Sequence, residues 1–376
     1  MLMVAHDCNL NCAYCYEAHK DLGRMEVGLA KELIEREFAR VRDDERFDEL
    51  EVDFMGGEPL MNFELIREVV EWLESRRGVV PFICFATTNG TLLDEERKTW
   101  FRRHRNAVWL GASVDGTEAM QRLNRGASRG KIDLEFFRTT WPEQDFHMTV
   151  SRKTLPYLAQ GVISLQRNGY RIASALAQGE DWSEEDARTY YGQLVQLAEH
   201  YLSDGGADLI PLNVLDRLVL LTEPSVGSQC KYCGSGDHMI TYDIDGKSYP
   251  CHMFTPTVMG KSAVPCDDID LTSDEAVRDP FCDTCVLRGY CPTCVGFNYR
   301  YRGSPAARDR RMCAMTLAEA KAASEFQLKA IADERLGFDA VTARHAKAAL
   351  AASGMLAPFG LTNSKPPFVR HDLQEG

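Results

Sequence analysis

The sequence predicts an α/β chain: a partial (β/α)6 barrel, then a cysteine-rich region, then C-terminal helices. Three observations predict it. Strand-like apolar runs alternate with helix-periodic segments up to residue 180, the pattern of a parallel sheet with crossover helices. About six such units can be counted, short of the eight that close a full barrel. From residue 229 the alternation gives way to cysteines, glycines and hairpin-like pieces, and 376 residues leave room for that division.

The first strand is the apolar run LMVAH at 2–6, which ends at a cysteine loop. Helical periodicity follows at 28–42. The alternating segment LEVDFMGG (50–57) ends in glycines and precedes an amphipathic helix at 63–77. A buried strand is expected in VPFICFATTNG (80–90), followed by the helical 92–104, and another in AVWLGASVDG (107–116). A loop at 123–131 leads to the segment 132–141, the strand FHMTVS (146–151), a helix at 155–169 and the strand YRIASALA (170–177). The unusual residues stand at the C-terminal strand ends, where parallel sheets gather their chemistry: the cysteine loop, GGEP, TNG, SVDG and SRK. A long helix at 182–204, with Ser183 as N-cap, bridges to the cysteine-rich region. Residues 239–251 read as a hairpin turning at Asp245-Gly246. Alanine-rich helices at 314–337 and 338–353 and a polar tail at 362–376 complete the chain. The expected domains are 1–180, 181–228, 229–315 and 316–376.

Composition narrows the function. Apolar residues make up 44% and charged residues 26%, ordinary for a globular protein. No run of about 18 apolar residues exists, so no membrane partner is expected. The N-terminal stretch lacks the charged and apolar regions of a secretory signal, and the expectation is a cytoplasmic protein. A net charge of −13 disfavours nucleic acid as a partner. In a reducing cytoplasm the 13 cysteines are metal or cluster ligands sooner than disulfides.

Cys8, Cys12 and Cys15 are spaced CxxxCxxC. A 4Fe–4S cube wants a thiolate on each iron. Three thiolates leave one iron open to a substrate or cofactor, as the free position of a catalytic zinc is open. Tyr14, just before the third cysteine, can pack against a cluster or cofactor. The triplet alone also fits a zinc site completed by His6 or His19. In GGEP, Gly56 and Gly57 let backbone approach a ligand closely, and Glu58 can accept hydrogen bonds from an ammonium. A strand-to-helix turn with Pro59 at the helix start is the plainer reading of the same residues.

The triplet with Tyr14, followed by GGEP, resembles the radical S-adenosylmethionine (SAM) enzymes. The resemblance implies that Cys8, Cys12 and Cys15 hold a SAM-binding 4Fe–4S cluster whose open iron takes the methionyl amine and carboxylate. It implies one-electron cleavage of SAM to a 5′-deoxyadenosyl radical, which abstracts a hydrogen atom from substrate. It also implies cofactor contacts at Tyr14, at Gly56, Gly57 and Glu58 toward the amine, and at Ser113 and Asp115, with Ser113 toward the carboxylate. Asn89, Arg125 and Ser151 are further cofactor candidates, each with a turn or surface role as its alternative.

Eight later cysteines form a second set: Cys230, Cys233, Cys251, Cys282, Cys285, Cys291, Cys294 and Cys313. They suffice for two 4Fe–4S clusters or two four-cysteine zinc sites, and spacing alone leaves both open. The layout resembles the SPASM extension of many radical SAM enzymes: a cysteine, Gly246-x4-Cys251, CxxCx5C, a further cysteine and a last one downstream. By that resemblance Cys230, Cys233, Cys251 and Cys294 hold an auxiliary cluster nearer the active site. Cys282, Cys285, Cys291 and Cys313 hold an outer one, making three clusters. Cys291 and Cys294 have two residues between them where the family has three, a departure in local geometry. Cys84, in the apolar PFICFA, reads as an inert core residue and Cys266 as a free loop thiol.

SPASM enzymes modify peptides or protein side chains, so the resemblance implies a peptide or protein substrate and a reductant such as flavodoxin or ferredoxin. Three readings are open. One is a maturase of ribosomally made peptides that forms a thioether or carbon–carbon crosslink. Another is a sulfatase-type maturase that makes formylglycine. The third, of another class, is a zinc-ribbon binding protein without radical chemistry. His252 comes directly after Cys251 where sulfatase maturases carry an aspartate, which lowers the second. Cys8 leaves no room ahead of it for the leader-binding domain of many peptide maturases. A separate leader-peptide-binding protein, the C-terminal helices or the barrel cleft is then expected to recognise the peptide. Asp181 and Trp182 are candidates to face the substrate or to start the following helix.

Overall fold

The computed structural model describes residues 1–76, 78, 80–203, 206, 209–217, 231, 233–291, 293–333 and 340–361. Cys230, the predicted helix end at 334–337 and the tail at 362–376 lie outside the described residues. In chain order the elements are β1 (Leu2–Ala5), α1 (Val27–Asp43), β2 (Leu50–Gly56), α2 (Phe63–Glu74), β3 (Phe82–Thr88), α3 (Glu95–His104), β4 (Val108–Ala112), α4 (Glu118–Arg125), α5 (Leu134–Thr140), β5 (Phe146–Val150), α6 (Leu158–Gln166), β6 (Ile172–Leu176) and α7 (Glu184–Leu202). The hairpin strands β7 (Thr241–Tyr242) and β8 (Ser248–Tyr249) come next, then the short α8 (Pro256–Met259) and α9 (Asp274–Val277), then α10 (Val295–Arg302), α11 (Cys313–Ala332) and α12 (Ala340–Leu356). They form two compact units. One is Met1–His147 with Cys233–Thr272; the other is Met148–Tyr232 with Ser273–Gly376.

In the first unit β1 to β4 pair in parallel in chain order. β1 is buried at every position, as a strand covered on both faces must be. α2 covers the sheet with Phe63, Leu65, Ile66, Val69, Val70 and Leu73, each worth about 1.5–3 kcal/mol over exposure. α3 starts where Asp94 accepts the Arg97 amide at 2.9 Å. The expected strands and crossovers are all present, but the sheet does not run on through six strands. β5 touches β4's end through one parallel bridge, Ser113 to His147, and pairs with β6 as a separate two-stranded sheet.

On its other edge β1 is joined by the hairpin, giving the order β4-β3-β2-β1-β7-β8. Leu2 pairs with Tyr242 in parallel, and β8 is antiparallel to β7. The turn closes with the Asp243 amide on the Lys247 carbonyl at 2.9 Å, and Gly246 takes φ +83°. The cysteine-rich region thus supplies two strands to the barrel sheet. In the second unit, α7 and α11 pack together. Tyr190, Leu194 and Leu197 of α7 are buried, and α11 is buried along Ala314, Ala318, Ala322 and Ala323, small side chains that let helices approach closely.

Candidate active site

Within the first unit, the C-terminal ends of β1 to β4 frame a cavity of about 170 Å³ lined by Cys8, Cys12, Cys15, Gly56, Gly57 and Glu58. Tyr14, Lys20, Asn89, Ser113 and Arg125 complete its wall. The thiols line this space without converging on a point: among the described residues no three His, Cys, Asp or Glu side chains close on a single ion. Burial pushes the Cys8 thiol up and the Cys12 thiol up to about 11, with the Arg125 charge opposing the latter.

Gly56 sits at φ +142°, and a Cβ there would lie 2.0 Å from the Ala5 carbonyl oxygen; one at Gly57 would lie 2.4 Å from that of Asp7. The Gly57 and Glu58 amides donate to those same carbonyls at 3.0 Å. The close approach the glycines permit is therefore of the chain to itself, fastening GGEP to the start of the cysteine loop. Glu58 is 1% exposed. Its Oε1 accepts from Thr88 Oγ1 at 2.6 Å and the Leu60 amide at 3.2 Å, and its Oε2 from the Asn89 amide at 2.8 Å. A carboxylate offers about four lone-pair sites, so roughly one remains for a ligand. Burial raises its pKa, and these donors counter the rise.

Asn89 has a turn role and a site role together. Its Oδ1 accepts from Thr91, and its Nδ2 donates to Asn9 Oδ1 at 2.9 Å, tying the TNG turn to the cysteine loop. Ser113 lines the cavity, whereas Asp115 is fully enclosed. The Asp115 carboxylate accepts from Tyr14 Oη at 2.9 Å, Asn124 Nδ2 at 3.2 Å, and Arg125 Nε at 2.9 Å and Nη2 at 3.1 Å. Asp115 is thus the buried anchor of two cavity residues. Burial opposes the Arg125 charge, and Asp115, with Tyr14 and Cys12, outweighs it and raises the pKa. The Asn124 carbonyl also accepts the Ala13 amide at 2.7 Å, so α4 cradles the cysteine loop. Ser151 belongs to the second unit, where its carbonyl accepts the Thr154 and Leu155 amides at the turn after β5.

Sequence reasoning missed Lys20, which lines the cavity and donates from Nζ to Cys15 Sγ at 3.1 Å. No motif marks it; its signal is proximity to the triplet. His6, a candidate fourth ligand for zinc, has both ring nitrogens engaged, Nδ1 by Asp21 at 2.9 Å and Nε2 by Asp243 at 2.6 Å. That removes it as a metal donor and clamps the hairpin to β1's end. His252 packs against the Tyr16 ring at 5.6 Å, and burial pushes its pKa down to about 4. Trp182 is enclosed, its Nε1 donating to the Ala177 carbonyl at 3.0 Å, which supports its helix-start role.

The second unit holds a smaller cavity of about 50 Å³, lined by Cys282, Cys285, Cys291, Cys294 and Cys313. Burial pushes the Cys282 and Cys313 thiols up to about 12 and Cys285 to about 11. Cys294, assigned to the inner set by resemblance, lines this cavity with the four outer cysteines. Cys233 and Cys251 belong to the first unit, the former exposed and the latter buried. Cys84 is fully buried, as expected of a core residue.

Residues 2–132 match the model of the Radical SAM superfamily. An uncharacterized protein of Methanocaldococcus jannaschii is 28% identical over 180 residues, covering 46% of this chain and 60% of that protein. The chain thus spans less than two thirds of that relative's length. The radical SAM cyclopropyl synthase TigE of Paramaledivibacter caminithermalis is 20% identical over 342 residues, 83% of this chain and 71% of the synthase. Among solved structures, native anSMEcpe with bound AdoMet superposes with a TM-score of 0.63 at 16% identity, covering 89% of this chain and 98% of that one. Streptococcus suis SuiB bound to its precursor peptide SuiA gives 0.53 at 16% identity, covering 82% and 74%. Residues 2–132 are thus similar to the radical S-adenosylmethionine domain, in a chain that shares its fold with anSMEcpe and SuiB.

Proposed function

We propose that this chain is a radical SAM and SPASM enzyme that modifies a peptide substrate, as a maturase forming a thioether or carbon–carbon crosslink. The observation that carries the reading is the single cavity framed by Cys8, Cys12, Cys15, the GGEP backbone and Arg125. Three thiols on one loop fit a four-iron cube with one iron open. Lys20 and Arg125 line the same cavity, two cations that would favour a ligand carrying a carboxylate. When bound, the cluster and SAM supply reductive cleavage and hydrogen-atom abstraction from the substrate. The chain's part is to hold the thiolates, to fix the loop through Tyr14, Asn9 and Asn124, and to seat the cofactor against Ser113, Glu58 and Arg125.

The segment 229–315 is read as the SPASM domain, and residues 316–376 as a helical extension. Cys282, Cys285, Cys291 and Cys313 are the ligands of an outer cluster; Cys230, Cys233, Cys251 and Cys294 are those of an inner one. The four thiols Cys282, Cys285, Cys291 and Cys313 line one enclosed space, which supports the outer site; Cys294 lines it too. The relatives' names support the peptide: anSMEcpe is solved with the Kp18Cys peptide and SuiB with SuiA.

Anaerobic reconstitution tests the reading. Roughly twelve irons per chain and release of 5′-deoxyadenosine are expected. Zinc in place of iron would sink it. A short cysteine-bearing peptide encoded beside the gene is the substrate to try. Loss of a hydrogen pair with a crosslinked fragment pattern supports the maturase, whereas formylglycine would move the assignment to the sulfatase type.

A further inference from the structure

We infer that Arg308 sets the reduction potential of the outer auxiliary cluster, by holding a buried positive charge against its thiolates. The inference rests on the proposed cluster in the five-cysteine cavity. Arg308 lines that cavity and is 7% exposed. Its Nη1 lies 3.4 Å from the Cys291 carbonyl oxygen, and its amide donates to Asp279 Oδ2 at 2.9 Å. It is therefore fastened at both ends to the wall that carries the thiols.

Of the other charges nearby, Asp279 also acts on Cys282 and Arg310 on Cys313, while the rest pair with one another. Arg288 pairs with Asp283 at 3.3 Å, and Asp309 with Arg311 at 2.7 Å. The Arg310 guanidinium lies 3.8 Å from the centre of the Phe281 ring. Asp279 also accepts the Phe281 amide at 2.9 Å. A guanidinium keeps its charge at any working pH, and in an enclosed site its field is little screened. One-electron reduction makes a cluster more negative, so a fixed cation beside the thiolates favours the reduced form. Net charge around a cluster is among the factors that set its potential.

The test is an EPR-monitored redox titration of the reconstituted full chain against a low-potential one-electron reductant. The background carries Cys8→Ala, Cys12→Ala and Cys15→Ala, so the N-terminal loop contributes no signal. Arg308→Gln should load iron fully and make one cluster about tenfold harder to reduce at a fixed poise, about 59 mV for a one-electron couple. Arg308→Lys should stay near the parent. An Arg308→Gln protein with full iron and an unmoved potential overturns the inference. If Arg308→Gln loads poorly, Arg308→Lys decides: parental iron and potential support the charge role, and the same iron loss refutes it. Iron counting on Cys282→Ala with Cys285→Ala checks the underlying cluster separately. Loss of about four irons supports it, and an unchanged count would remove both the cluster and the inference.

Discussion

Asp115 has no exposed surface, yet it controls two residues that line the candidate active site. Removing its charge strands the Arg125 guanidinium. Asp115→Ala should cost about 3–5 kcal/mol, the range for breaking a buried ion pair, read by urea unfolding. The same variant should load less iron at the N-terminal loop, because Tyr14 loses its acceptor. Glu58→Gln keeps the shape but turns an amide group toward Thr88 or Asn89; about 1–3 kcal/mol of stability should go with the mismatched donor. The motifs GGEP and SVDG drew attention to both residues in the sequence. Which way they face was not legible there, since their partners Thr88, Asn89 and Arg125 come from other turns. Lys20 was illegible for a simpler reason: a single lysine in a polar loop has no pattern.

At the level of elements, periodicity located the six strands of the alternating region and the long helix α7. It missed α4, whose buried face is Met120, Gln121, Asn124 and Arg125, so the helix buries polar groups where the pattern looks for apolar ones. It also missed the hairpin's place beside β1, because two two-residue strands carry no periodic signal. Helix α7 opens with a capping box: Ser183 Oγ accepts the Asp186 amide at 3.2 Å, and Asp186 Oδ2 accepts the Ser183 amide at 2.8 Å. Ser183→Ala should cost about 1 kcal/mol in urea unfolding. Burial alone would raise the Asp186 pKa; the Ser183 hydrogen bonds and Arg152 at 3.0 Å outweigh it and hold it below the usual carboxylate value. A carboxylate depressed in the fold stabilises above its unfolded pKa and loses that stabilisation as pH falls through its folded one. The stability gap between the wild type and Asp186→Asn should therefore be constant above about pH 5 and narrow below it, as matched denaturation curves would show.

Across the whole molecule, cysteine spacing gave the two sets of thiols but not their distribution. The structure puts Cys233 and Cys251 in one unit and Cys282 to Cys313 in the other, a division that depends on packing distant in sequence. Triple substitution of Cys8, Cys12 and Cys15 by Ala should abolish 5′-deoxyadenosine release and remove about four irons while leaving the remaining clusters loaded. Continued cofactor cleavage would overturn the catalytic assignment. The clamp of His6 on Asp243, with β1 bordered by β7, has a consequence for biosynthesis. At ~5–20 residues per second the ribosome adds Asp243, 237 residues on, roughly 12–47 s after His6. Through that interval the three thiols of the N-terminal loop lack the hairpin that closes the sheet beside them. The nascent chain thus carries the cysteine loop through that interval without the strand that will border β1.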